Sequence, residues 1–220
     1  MKIVKFALAA TLINTGVYAE DITSQVGLNA NILVANNCVW RGMTQTSDKA
    51  NVQGALTVDY SGFYIGSAAS NIEIQGLDAW TEVDFYGGYA SSFYGLDYDL
   101  GAISYTYPQS PTEANFSELY FALSKNFEIV TLGAKFYKGV KTNDAEVSDA
   151  AEATVSIPLP MEFSFDALYG DYYNVGDYFS LGFSKQFNKT FKATIFYTGI
   201  KSDTGEADEY NLIIAPSAAF

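Results

Sequence analysis

From about residue 24 onward the chain alternates apolar and polar side chains with a period of two, and it does so in twelve separate stretches. In "MEFSFDALY" (161–169), Phe163, Phe165, Ala167 and Tyr169 share one phase, while Glu162, Ser164, Asp166 and Leu168 take the other. "FKATIFY" (191–197), "SELYFALS" (117–124) and "AEATVSI" (151–157) repeat the pattern. Successive side chains of a strand point to opposite faces, so each stretch reads as a strand with one apolar face. The twelve predicted strands cover 24–36, 50–60, 63–71, 78–90, 95–107, 115–126, 128–138, 150–158, 161–170, 177–187, 190–200 and 208–220. Helical periodicity is confined to the first nineteen residues.

The links between these strands alternate in length. Short turns are expected at Ser61-Gly62, 91–94, 125–127, 158–160 and 187–190, and longer links at 37–49, 72–77, 108–114, 139–149, 171–176 and 201–207. Short turns at one end and long loops at the other describe an outer-membrane barrel. Tyr60, Phe63, Phe93, Tyr94, Phe127, Phe187 and Phe191 gather at the short turns. Amphipathic rings favour the headgroup boundary, so this set reads as an interfacial girdle. The rival is a soluble β-sandwich or lipocalin-like barrel, in which the apolar face turns inward. The expected fold is all-β: a transmembrane antiparallel up-and-down β-barrel of about twelve strands, spanning residues 20–220.

Residues 1–19, "MKIVKFALAATLINTGVYA", carry Lys2 and Lys5, an apolar run, and small residues at the −3 and −1 positions. They read as a signal peptide cut after Ala19, which implies export to the bacterial outer membrane. Its loss would take the net charge from −13 to −15. An acidic chain does not suit nucleic acid. No later segment has 18 consecutive apolar residues, so no spanning helix is available. The chain has no histidine and one cysteine. That removes Ser-His and Cys-His catalysis, His-ligated metals and thiolate clusters. No catalytic residue, cofactor or metal site is therefore expected, and Cys38 reads as a small packed residue.

The polar phase carries Asp59, Glu82, Asp84, Asp99, Glu118, Glu152 and Asp166, with Lys135 and Lys192 also facing inward. These are the candidate pore-lining residues. As a ring they would favour cations; in a plugged lumen they would pair with one another. Asp144, Glu146, Asp149, Asp203, Glu206, Asp208 and Glu209 lack the spacing of a calcium loop and read as a solvated rim.

The chain's only arginine, Arg41, sits in "NNCVWRGMTQT" (36–46) between Trp40 and Gly42, in the first long link. Folded inward, it would meet Asp59, Glu82 and Asp84 and fix the loop to the wall. Alternatively it sets the polarity of a constriction. Trp40 either stacks on the guanidinium or joins the outer aromatic belt.

Val39-Trp40-Arg41-Gly42, Thr44-Gln45-Thr46, Val52-Gln53-Gly54, Gly62-Phe63-Tyr64-Ile65-Gly66 and Ser70-Asn71 follow one another in an order that resembles the TorF-family porins of bacterial outer membranes. "YGGY" (86–89) and "GLDYDLG … YTYP" (95–108) extend the likeness, which is densest over 36–108. The resemblance implies an outer-membrane barrel, a diffusion channel among its possible roles, with no substrate and no established chemistry attached. The expected role is a narrow passive channel for an unidentified small polar solute. The alternative is a closed barrel acting through its extracellular loops. The expected partners are outer-membrane lipids and the barrel-insertion machinery. The last residue, Phe220, ends an alternating strand as that machinery's signal does, although Pro216 interrupts it.

Overall fold

The computed structural model describes residues 26–74, 76–110, 114–140 and 147–220. The proposed leader lies outside them, as do Asp144 and Glu146 of the expected acidic rim.

Twelve antiparallel strands close into a barrel: β1 (Gly27–Ala35), β4 (Asn51–Tyr60), β5 (Phe63–Asn71), β6 (Thr81–Phe93), β7 (Leu96–Thr106), β8 (Phe116–Asn126), β9 (Thr131–Val140), β10 (Ala150–Leu159), β11 (Phe163–Tyr172), β12 (Gly176–Gln186), β13 (Phe191–Ser202) and β14 (Glu209–Ala219). Each pairs with its neighbour in sequence, save that β1 pairs directly with β4, and β14 returns to β1. Between β1 and β4 lies a second sheet of two short strands, β2 (Val39–Trp40) and β3 (Met43–Thr44).

The alternation sorts side chains as the sequence requires. Leu119 and Phe121 of β8 are exposed on the outer surface, whereas Glu118, Tyr120, Ala122 and Ser124 between and beside them are buried in the bore. Leu56, Ile65, Phe85, Leu100, Phe183 and Ile195 continue the exposed apolar belt. In a soluble sandwich these side chains would be the core. Turned outward around a closed ladder, they make the barrel a transmembrane one, because only a closed sheet satisfies its backbone inside lipid.

Several connections depart from expectation, among them the β8–β9 turn, which falls at 127–130 instead of 125–127 because Asn126 pairs with Thr131. The turn after β6 is Tyr94-Gly95, not 91–94, because Ser92 pairs with Asp97 and Phe93 with Leu96. Tyr94 and Gly95 have φ of 49° and 73°, the double left-handed geometry of a two-residue hairpin. The β10 strand runs through Pro158 to Leu159, so the turn is 160–162. The link expected at 171–176 shrinks to three residues, because Tyr172 pairs with Gly176.

Closure between β1 and β14 is short. Register pairs are Asn31–Ala219, Ile32–Ala218 and Leu33–Ser217, and Ala30 exchanges both backbone hydrogen bonds with Phe220 at 3.0 and 2.8 Å. The next bonded position on this register falls to Pro216, which has no N–H to give. The side chain of Asn36 takes over beyond it. Its Nδ2 donates to Leu212 O at 2.9 Å, and its Oδ1 accepts from Ile214 N at 2.8 Å. One amide side chain thus carries the ladder past the proline. Asn36→Ala leaves two backbone groups unmatched, each worth roughly 1–3 kcal/mol when stranded. The expected result is a lower urea midpoint for the micelle-refolded barrel. An unchanged midpoint would show that the seam does not depend on this side chain.

Candidate functional site

The first long link returns into the bore as a hairpin. Trp40 pairs with Met43 across Arg41-Gly42, whose φ values are 48° and 82°. Both central residues are left-handed, as a type I′ turn demands; glycine takes this without strain and arginine does not. A Cβ on Gly42 would collide with the backbone of Gly199 on β13, so the tip is seated against that strand. The chain was expected to run here as a loop. The Xaa-Gly pair between apolar residues, which also makes the Ser61-Gly62 turn, was the available signal.

The flanking polar residues knit the hairpin's root. Thr44 Oγ1 donates to Asn37 Oδ1 at 2.8 Å, and Asn37 Nδ2 donates to Asn211 Oδ1 at 3.0 Å on the wall. Thr46 Oγ1 accepts from the Cys38 N–H at 3.1 Å and donates to Lys49 O at 2.7 Å. Glu209 does not stay in a solvated rim: its Oε2 accepts the Thr44 N–H at 2.7 Å. Asp149 does lie at the surface, 2.8 Å from Lys138.

Arg41 at the tip is 2% exposed, and its Nη1 lies 2.8 Å from Glu118 Oε1 on β8. The guanidinium carbon sits 4.5 Å from the Trp40 ring, 4.6 Å from Tyr137 and 4.7 Å from Tyr172. Trp40 stacks inside the bore rather than in the outer belt, with its ring 5.5–6.0 Å from Tyr105, Phe116 and Tyr172. The expected partners Asp59, Glu82 and Asp84 are not the ones Arg41 meets. The I′ turn carries the tip away from the β4–β6 wall and toward β8. Breaking a buried ion pair from one side costs about 3–5 kcal/mol, because the surviving charge is stranded. The pair therefore fixes the hairpin in place.

The other inward-facing charges fall into separate groups. Lys135 is in register with Glu152, and only Ala122 lies between Lys135 and Asp99 across β8. The Lys135 Nζ stands 4.0 Å from the Tyr120 ring centre. Tyr178 Oη donates to Glu152 Oε1 at 2.8 Å, and Tyr64 Oη donates to Asp99 Oδ1 at 2.7 Å. Asp166 accepts from Ser156 at 2.6 Å and Ser164 at 2.8 Å. Asp59 sits near the short-turn end, accepting from Asn29 at 2.9 Å. Glu82 and Asp84 are buried on β6 beneath the hairpin's root. Lys192 aligns with Gln186 and Ser217 at the short-turn end.

The tyrosines of the bore were not singled out in the sequence, and they fill half of it. Tyr86 lies over Gly66, Tyr64 over Gly88, Tyr120 over Gly101 and Tyr178 over Gly170, each on the cross-strand partner position. In all four cases a Cβ on the glycine would collide with the ring. The signal was present: these tyrosines occupy the polar phase of their strands.

What the rings leave open is a cavity of about 770 Å³ along β9–β14. It runs from the short turns, at Pro160–Glu162, up to Arg41 and Gly42. Hydroxyls of Thr131, Ser156, Ser164, Ser180, Ser184, Thr194, Thr198 and Ser217 line it, with Asp166 and Lys192 as its charges besides Arg41 and Glu162. The hairpin is its ceiling.

A family model described as "Bacterial protein of unknown function (Gcw_chp)" matches residues 19–211. No curated protein sequence matches the chain. Among solved structures, the KdgM porin superposes with a TM-score of 0.61 at 8% identity, over 87% of this chain and 98% of that one. The NanC porin does so at 0.58 and 9% identity, over 88% and 99%. Outer membrane phospholipase A from Escherichia coli reaches 0.50 at 15% identity, over 87% and 95%. At these identities the likeness is one of fold, a porin-like outer-membrane barrel, and it extends to an enzyme as well as to porins.

Cys38 reports on the hairpin. It is 2% exposed, with Gln53 Nε2 3.1 Å from its sulfur. Burial, reinforced by Glu82, pushes its thiol up to about 12. A thiol reacts as the thiolate. Maleimide at neutral pH is therefore expected to leave the folded protein unlabelled, and Arg41→Ala to raise the labelling rate at least tenfold. Equal rates in the two proteins would mean that the Arg41–Glu118 pair does not hold the hairpin.

Proposed function

The chain belongs to the Gcw_chp family, and we propose that it acts as a narrow outer-membrane porin whose bore is set by the inward hairpin. The reading rests on the cavity. A passage for small polar solutes has to replace part of their hydration, and hydroxyls set among apolar side chains such as Leu33, Leu168, Phe179 and Phe196, with few fixed charges, do this without trapping the solute. Asp166 and Lys192 of the lining oppose one another in charge. Across the whole bore the acids Glu82, Asp84, Asp99, Glu118, Glu152 and Asp166 outnumber Arg41, Lys135 and Lys192, which favours neutral or cationic solutes over anions. The pore-lining roles given to these residues, and to Asp59 at the mouth, belong to this proposal.

Export through a leader at residues 1–19 and handling by the barrel-insertion machinery complete the reading. It is a non-enzymatic one. The chain lacks the histidine that an outer-membrane hydrolase would use as its base. A second reading has an observation of its own. The hairpin reaches from Glu118 on β8 to Gly199 on β13, so it crosses the bore. A barrel closed at that level would act through its loops instead.

Planar-bilayer recording separates the two. A porin gives small, resolvable single-channel steps, with Arg41→Ala raising conductance severalfold and moving the reversal potential toward cations. Silence from folded wild-type protein and from Arg41→Ala alike would favour the closed barrel.

A further inference from the structure

Under the root of the hairpin, on the side of the bore away from Arg41, lies a pocket of oxygens with no positive charge among the described residues. Asn51 and Gln53 come from the first turns of β4, and Glu82 and Asp84 from the start of β6. Register places Gln53, Glu82 and Asp84 together, and Asn51 lies two residues before Gln53 on the same face of β4. Gln53 and Glu82 lie on one cross-strand row, separated only by Ser70, and Asp84 is the next inward residue on β6. All four are buried, with exposures of 0%, 3%, 7% and 3% in sequence order. The Cys38 sulfur ties the group together: Gln53 hydrogen-bonds to it, and both carboxylates act on it electrostatically.

The oxygens of this group are short of donors. Asn51 spends its amide nitrogen on Asn71 O at 3.0 Å, and Gln53 spends its own on the Cys38 sulfur. Asn51 Oδ1, Gln53 Oε1 and Asp84 Oδ1 are then fully buried with no hydrogen-bond partner among the described residues. Among the described residues no base forms an ion pair with Glu82 or Asp84. The bases of the bore are committed or placed elsewhere: Arg41 to Glu118, Lys135 beside Glu152, and Lys192 at the short-turn end. Buried carboxylates without a counter-charge are strongly disfavoured. Orphaned buried acceptors of this kind call for an unseen partner, and a water or an ion is the usual one.

We propose that Glu82, Asp84 and Gln53 Oε1 form a binding site for one hard divalent cation, of the Ca²⁺ class. Carboxylate and amide oxygens are the ligands such ions take, and hard ions of this kind need neither histidine nor thiolate. One dication neutralises two carboxylates and gives a partner to the open acceptors beside them. The site opens toward the long-loop end, since Asn51 and Thr81 are the first residues of their strands there. Bound metal would clamp β4 to β6 beneath Cys38 and brace the hairpin from its root, as Glu118 braces it from its tip. This inference does not depend on solute transport.

The test uses the full barrel refolded in detergent, free of lipopolysaccharide and stripped with EDTA. Isothermal titration with CaCl₂ is expected to show one ion per barrel. Glu82→Gln and Asp84→Asn should each weaken binding at least tenfold, while Asp166→Asn, outside the cluster, leaves it unchanged. Wild-type protein should also gain thermal stability in Ca²⁺, and the double variant should not. No saturable binding by wild type overturns the proposal, whatever the variants do. So does equal affinity in the Glu82→Gln/Asp84→Asn double variant, which would move the ion to the surface. A wild type that binds nothing while Asp84→Asn melts higher than it would identify a shared proton as the occupant.

Discussion

Everything in this molecule depends on closing a ladder of backbone hydrogen bonds around a ring. Inside lipid each unmatched N–H or C=O costs several kcal/mol, so the twelve strands have no stable open form there. The least secure point of the ring is where the two ends of the chain meet. There Pro216 withholds a donor, and Asn36 supplies the bonds through its side chain. Asn36 is also the residue at which the chain leaves the wall to form the hairpin. The seam that completes the barrel and the start of the element that fills it are thus neighbours in sequence.

Closure makes the interior a separate chemical compartment, and the bore is furnished in two ways. Along β5–β8 and β11–β12, tyrosine rings lie flat on glycines of the adjacent strand, so bulk is gained where backbone leaves room. Their hydroxyls then meet the buried acids, as Tyr64 meets Asp99 and Tyr178 meets Glu152. Along β9–β14 small hydroxyl residues leave space instead. The hairpin rests on the filled region through Trp40 and forms the ceiling of the empty one through Arg41 and Gly42. A single buried ion pair, flanked by three aromatic rings, decides where that ceiling stands.

The wall was largely legible because a strand's pattern is local. Phe163 and Ile195 point outward and Glu118 and Glu152 inward by parity alone, and the register follows from parity and turn length. Where boundaries moved, the cause was a turn whose chemistry was misplaced by a few residues, as at Tyr94-Gly95. The hairpin was less legible, since four strand residues are too few for any periodicity to register. The tyrosine–glycine pairs were hidden for a different reason: Tyr120 and Gly101 are partners only once β7 and β8 are aligned.

By itself the sequence determined the strands, their inward and outward faces, the acidic character of the bore and the absence of histidine chemistry. These are properties of composition and of neighbours along the chain, which no folding can change. Only the tertiary structure decided that Arg41 meets Glu118 instead of Asp59, Glu82 or Asp84. It also decided that Asn36 repairs the break at Pro216, and that among the described residues Glu82 and Asp84 have no basic partner. Each of these is a meeting across the bore or around the ring between residues distant in sequence. Their separation is fixed by the curvature of the closed sheet and by a hairpin whose reach depends on one left-handed turn.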